Sequence, residues 1–207
     1  MKIKICGMNN AENIHKILAL QPDWMGFIFY PYSPRNVDIN LASQIQNFDW
    51  TGTERVGVFV ESDIAFILKM AQLFHFNSIQ LHGKYEMSVL RELRQRFKII
   101  KAIPVSSVYD LQASEEYIDE VDLLLFDTKS PLHGGSGKRF DWSVLEAYKS
   151  DTSFLLSGGL SPDCLDDLMH FEHPAFAGID LNSGFEISPG LKEKAKLDLF
   201  ISNLKFV

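Results

Sequence analysis

Short apolar runs alternate along the chain with stretches whose apolar residues recur at helical spacing. Ile3 to Cys6 predicts a first strand. Asn9 and Glu12 fit a capping box, and Ile14, Ile17, Leu18 and Leu20 supply the stripe of the amphipathic helix behind it. Trp24 to Tyr30 predicts a second strand, ended by Pro31 and Pro34, and residues 40–48 a helix carrying Leu41, Ile45 and Phe48. Arg55 to Val60 reads as a third strand, with a helix marked by Ile64, Ile67, Leu68 and Ala71. Phe76 to Leu81 reads as a fourth, with Met87, Leu90 and Leu93 on the next helix.

The second half repeats this plan. Lys98 to Ile103 predicts a fifth strand closed by Pro104, followed by a weaker helix over 107–118. Val121 to Phe126 is a sixth strand, almost wholly apolar, and Trp142 to Tyr148 a short helix. Ser153 to Leu156 is a seventh strand. Ser161 and Pro162 supply an N-cap and a proline in the first helical turn. Phe176 to Leu181 is an eighth strand, and 191–204 a final helix. Strands alternating with helices mean βα units and a parallel sheet. Eight of them in 207 residues favour one closed (β/α)8 TIM barrel domain spanning 1–207, compact against the roughly 250 residues typical of the architecture. An open doubly wound sheet is the competing arrangement. No Gly-x-Gly-x-x-Gly turn follows the first strand, which weakens its dinucleotide-binding variant.

Composition narrows the partners. Twenty Lys and Arg against 27 Asp and Glu give a net charge of −7, and no dense basic run suits a nucleic-acid backbone. No segment approaches 18 uninterrupted apolar residues, so no membrane span is expected. The N-terminus lacks the apolar stretch of a signal peptide, and a soluble cytoplasmic protein is the expectation. The two cysteines, Cys6 and Cys164, are no disulfide framework.

In a closed barrel the chemistry sits where strands end and βα loops begin. The strands here end in Cys6-Gly7, Gln80-Leu81-His82-Gly83, Asp127-Thr128 and Ser157-Gly158-Gly159. The second leads into Ser33-Pro34-Arg35, and the eighth through Asp180 to Asn182-Ser183-Gly184. Asp127 ends an apolar strand, where a carboxylate is costly unless bonded or functional. Gly158-Gly159 before a helix start and Ser183-Gly184 after the last strand are where this architecture holds phosphate on backbone N–H groups. Arg35 offers a planar fork for a carboxylate. Cys164 reads as a small hydrophobe in a helix. His82 reads as packed or locally hydrogen-bonded, having no second ligand at metal spacing, and no metal site is expected. Gly134-Gly135-Ser136-Gly137 reads as a lid.

Taken in order, these motifs resemble the phosphoribosylanthranilate isomerase family of tryptophan biosynthesis. They are Lys4-Ile5-Cys6-Gly7-Met8, Gly26-Phe27-Ile28-Phe29, Ser33-Pro34-Arg35, Val56-Gly57-Val58-Phe59 and Gln80-Leu81-His82-Gly83. Phe126-Asp127-Thr128, Gly134 to Gly137, Leu156 to Leu160, Ser183-Gly184-Phe185-Glu186 and Pro189-Gly190 follow. The resemblance implies a metal-free, cofactor-free Amadori rearrangement of a small phosphorylated substrate, N-(5-phosphoribosyl)anthranilate. It implies Cys6 as general base, Asp127 as general acid, and Arg35 on the anthranilate carboxylate. It puts the phosphate on Gly158, Gly159, Ser183 and Gly184, with Asn182 alongside. His82 and Asp180 are supporting groups. Asp127 must be protonated when substrate binds, and an apolar strand end should raise its pKa. Cys6 would need a modest depression to serve as a thiolate base.

Asn182 and Glu193 depart from the family's more familiar residues. Indole-glycerol-phosphate synthase, the nearest rival, relies on lysine and glutamate at strand ends. Histidine-pathway isomerases use a carboxylate on the first strand, where Cys6 stands. A non-catalytic phosphometabolite-binding module would keep the glycines and Arg35 without reason for both Cys6 and Asp127. Monomer and homodimer both stay open.

Overall fold

Period-two alternation along the strands sorts their side chains between two cores. One set, including Ile5, Phe27, Phe59, Leu81, Ile99, Phe126, Phe154 and Ile179, packs outward against Ile14, Ile17, Phe74, Leu90 and Leu93 of the helices. The other set, Cys6, Val56, Val58, Ile100, Ala102, Leu123, Leu125 and Leu155, forms a separate cluster within the ring of strands. In this computed structural model, which describes residues 1–129 and 139–204, the ring closes. Its strands are β1 (Lys2–Ile5), β2 (Trp24–Phe29), β3 (Glu54–Val60), β4 (Ser78–His82), β5 (Lys98–Val105), β6 (Leu123–Thr128), β7 (Phe154–Leu156) and β8 (Phe176–Leu181). They pair in chain order and in parallel, and β8 returns to β1 with Asp180 opposite Lys4. At the crossing of β8 and β1, a Cβ on Gly178 would stand 2.0 Å from the Lys2 carbonyl oxygen, so only glycine fits.

The outer layer holds α1 (Ala11–Leu18), α2 (Leu41–Ile45), α3 (Ile64–Phe74), α4 (Met87–Arg94), α5 (Val108–Glu115), α6 (Leu165–Met169) and α7 (Lys194–Leu204). Among the described residues, no helix is long and apolar enough to cross a membrane. Five local expectations are corrected. The α1 cap is Asn10, whose side chain accepts from the Asn13 N–H at 2.9 Å. Glu12 then lies one position too early to complete a box with Asn10, whose third helical position is Asn13. The helix expected over 40–48 shortens to α2. β5 runs through Pro104 to Val105 because β4 pairs with it only as far as Lys101, so the missing proline N–H breaks no ladder bond. Trp142–Ala147 is a 3₁₀ turn rather than an α-helix. Leu191–Lys192 is a strand, β10, paired antiparallel with β9 (Glu186–Ser188), and α7 begins only at Lys194. Asn13 holds Lys192 there by both backbone groups, at 2.8 and 2.9 Å.

Candidate active site

A cavity of about 600 Å³ opens where the barrel strands end. Cys6, Arg35, His82, Asp127, Gly158, Gly159, Asp180, Asn182 and Ser183 all line it, so residues separated by up to 177 positions in sequence meet at one mouth. Gly184 is not brought into the lining. A Cβ there would stand 2.1 Å from the Leu160 carbonyl oxygen, so this glycine backs the loop that carries Gly159. Gly158 and Gly159 both have positive φ, 83° and 66°, which suits glycine. The lid expected at Gly134, Gly135, Ser136 and Gly137 lies outside the described residues.

The charges are arranged in two clusters. In the barrel interior, fully buried Lys4 donates to Asp180 Oδ1 at 2.9 Å, and Ser157 Oγ reaches Asp180 Oδ2 at 3.4 Å. Burial outweighs the pull of the neighbouring cations and pushes the Cys6 thiol above its ordinary pKa, Lys4 being the strongest counter-influence. This corrects the expectation of a depressed thiol. Desolvation of the thiolate wins over the neighbouring cations. Asp127 behaves as expected. Burial and the nearby Asp180 charge raise its pKa to about 6, against a hydrogen bond from its neighbour Thr128 N–H at 2.9 Å.

At the rim, Glu186 takes the fork of Arg35 and also the Lys192 ammonium at 2.6 Å. Lys192 donates as well to Asn182 Oδ1 at 2.7 Å, tying the residue beside Ser183 to the Arg35 cluster. Burial works to raise the Glu186 pKa, but the two cations overcome it and hold the carboxylate ionised below its usual range. Gln80 Nε2 lies 2.7 Å from His82 Nε2, a local bond of the kind expected for His82. Among the described residues no group of three His, Cys, Asp or Glu could hold a metal ion.

Sequence reasoning passed over Lys4, Glu186 and Lys192 as functional residues. Lys4 carried a usable signal, since it alternates with Ile3 and Ile5 and so shares a face with Cys6. Glu186 stood in the Ser183-Gly184-Phe185-Glu186 motif without a role, and Lys192 carried no signal, because its hairpin has no apolar pattern.

Comparison with known proteins agrees with this geometry. The family model for N-(5'-phosphoribosyl)anthranilate (PRA) isomerase matches residues 3–203. The isomerase of that name from Parabacteroides distasonis is 44% identical over 99% of this chain and 93% of its own length. That from Thermotoga maritima is 37% identical over 99% and 98%. The crystal structure of the T. maritima phosphoribosyl anthranilate isomerase superposes with a TM-score of 0.86 at 33% identity, covering all of both chains. A phosphoribosyl anthranilate isomerase in complex with reduced 1-(o-carboxyphenylamino)-1-deoxyribulose 5-phosphate superposes with a TM-score of 0.84 at 30% identity, again over both full chains. With a closed eight-stranded barrel, a cavity at its strand ends and matches spanning nearly every residue, the chain belongs to the N-(5'-phosphoribosyl)anthranilate isomerase family, enzymes of tryptophan biosynthesis.

Proposed function

We propose that this isomerase converts N-(5'-phosphoribosyl)anthranilate to 1-(2-carboxyphenylamino)-1-deoxyribulose 5-phosphate by an Amadori rearrangement, with Asp127 as general acid and Cys6 as general base. The observation that carries the assignment is the meeting of a carboxyl group with pKa raised to about 6 and a buried thiol on the wall of one cavity. Titratable groups pushed away from their ordinary behaviour and held in one cleft are what acid–base chemistry needs.

The sequence of steps follows from the substrate. Asp127 gives its proton to the ribose ring oxygen as the C1–O bond breaks. The nitrogen lone pair forms the C1 iminium, which acidifies the C2 proton. Cys6 as thiolate takes that proton, and the electron pair flows into the enolamine. Proton transfer to C1 and loss of the C2 hydroxyl proton then give the aminoketone. The substrate's own nitrogen is the electron sink. Arg35 meets the anthranilate carboxylate, and the phosphate sits among Gly158, Gly159, Ser183 and Asn182, over backbone turns that expose N–H groups.

The test is turnover of freshly prepared N-(5'-phosphoribosyl)anthranilate, followed as loss of its fluorescence. Steady consumption with formation of the aminoketone is expected. Binding without turnover would leave only the phosphometabolite-binding alternative.

A further inference from the structure

Lys4 is a charged side chain with no exposed surface, and the chemistry above does not use it. Its ammonium is held by Asp180 at 2.9 Å. Gly26 shows what lies on its other side. A Cβ at that position would meet Cys6 Sγ at 2.7 Å and Lys4 Nζ at 3.2 Å, so thiol and ammonium share the space left by one missing methyl group. An ammonium buried in a barrel is costly unless its partners need its charge. One ion pair with Asp180 would be served as well by two apolar residues of similar size, but a thiolate would not.

We propose that Lys4 is the positioning residue of the base, its ammonium bridging Asp180 and Cys6 so that Cys6 carries the thiolate in the reaction. This rests on the reading of Cys6 as the base. The charged groups that face the thiol are Lys4 from β1, Asp180 from β8 and Lys192 from β10. Asp127 from β6, Gln80 and His82 from β4, and Arg35 after β2 stand on the same cavity wall. Burial pushes the thiol up, Lys4 and Lys192 pull it down, and Asp180 pushes it up. The Lys4 ammonium stays protonated because Asp180 and Cys6 together outweigh its desolvation. The lysine is thus a fixed positive charge, and the thiol is the member of the pair that titrates.

The experiment reads the thiol without turnover. In a Cys164→Ser background, iodoacetamide alkylation of Cys6 is followed against pH in the otherwise wild-type protein, in Asp180→Asn, and in Lys4→Met/Asp180→Asn. The double variant leaves neither partner buried and unpaired, so it tests the lysine without stranding a carboxylate. Asp180→Asn should move the alkylation midpoint down, because it removes a negative neighbour and frees Lys4 for the thiol. The double variant should move it up, making alkylation at pH 7 about 10-fold or more slower than in Asp180→Asn. A purely structural lysine would alter stability and leave the midpoint in place. Equal midpoints in the two variants overturn the proposal. If the double variant does not fold, an Asp180→Asn midpoint at or above that of the wild type overturns it. Wild-type turnover in Cys6→Ser would overturn the base reading instead, and the alkylation midpoint is independent of that outcome.

Discussion

Arg35 and Glu186 are joined fork to carboxylate, Nε to Oε1 at 2.9 Å and Nη2 to Oε2 at 2.6 Å, and Lys192 closes on the same carboxylate at 2.6 Å. Two cations on one buried anion leave a net positive rim, and the remaining guanidinium donors are aimed by the pair rather than consumed by it. Glu186→Gln should therefore loosen Arg35 without removing it. We expect KM to rise about 10-fold with kcat little changed, and Arg35→Ala to raise KM further, because a contact kept from ground state to transition state appears in KM. Steady-state kinetics on both variants checks this. A large fall in kcat at unchanged KM would place Arg35 in the chemical step.

The base makes a sharper contrast, because the chain has two cysteines, both buried. Cys6→Ser should lower kcat by about 100-fold or more with little change in substrate binding, the usual scale for removing a general base. Cys164 Sγ bonds the Ser161 carbonyl inside the outer core and lines no part of the cavity, so Cys164→Ser should be nearly silent. Single-turnover rates on the two variants decide between them.

Gly26 supplies a test that leaves every charged group in place. Alanine there would bring a methyl group to 2.7 Å from Cys6 Sγ and 3.2 Å from both the Cys6 Cα and Lys4 Nζ. Overpacking of this kind costs about 1–3 kcal/mol and displaces the softer partner, here the thiol. Gly26→Ala should lower kcat about 10-fold or more while Asp127 and Arg35 stay where they are. Denaturant unfolding alongside kinetics separates the two effects, and wild-type kcat would show that the thiol position tolerates displacement.

The barrel was legible because each strand is a short apolar run and each helix an apolar stripe, two periods that do not mimic one another. The strand ends were legible for the same reason, and with them Cys6, Asp127 and Asp180. Lys4 was not read as functional because a lysine in a strand usually marks a solvated face, and closure of β8 onto β1 is what turns that face inward. The 3₁₀ turn at Trp142–Ala147 and the β9–β10 hairpin are set by tertiary contacts, such as the grip of Asn13 on Lys192, that no local pattern encodes. Gly184 matched a phosphate motif, and the close approach of the Leu160 carbonyl is a further reason for glycine there that only packing reveals.

The acid gives the most demanding prediction, because its proton sits against the order that the chemistry needs. Asp127 titrates at about 6 and Cys6 above its ordinary range, so near neutrality the proton rests mainly on the thiol and not on the carboxyl. The reactive form, thiolate with carboxylic acid, is a minor tautomer of the singly protonated pair. Its population rises as pH passes the lower macroscopic pKa and falls as pH passes the upper one, so kcat/KM should trace a bell whose limbs belong to the pair. Asp127→Asn removes one member. Only the thiol then titrates, and the residual activity, lower by orders of magnitude, should keep rising with pH where the wild type declines. Titration of the substrate phosphate is common to both proteins and cancels in their ratio. Stability carries a second sign. A carboxyl whose folded pKa is raised from 3.8 to about 6 binds more protons folded than unfolded across that interval. The wild type should therefore lose stability as pH climbs from about 4 to about 6, by at most the order of 3 kcal/mol, and stay lowered above it. Asparagine has no such cost, so Asp127→Asn should match the wild type near pH 4 and unfold at a higher temperature near pH 8. Thermal unfolding at those two pH values, read beside the two kinetic profiles, tests both signs. A variant that keeps wild-type turnover and both limbs would move the acid role to His82 or to a bound water.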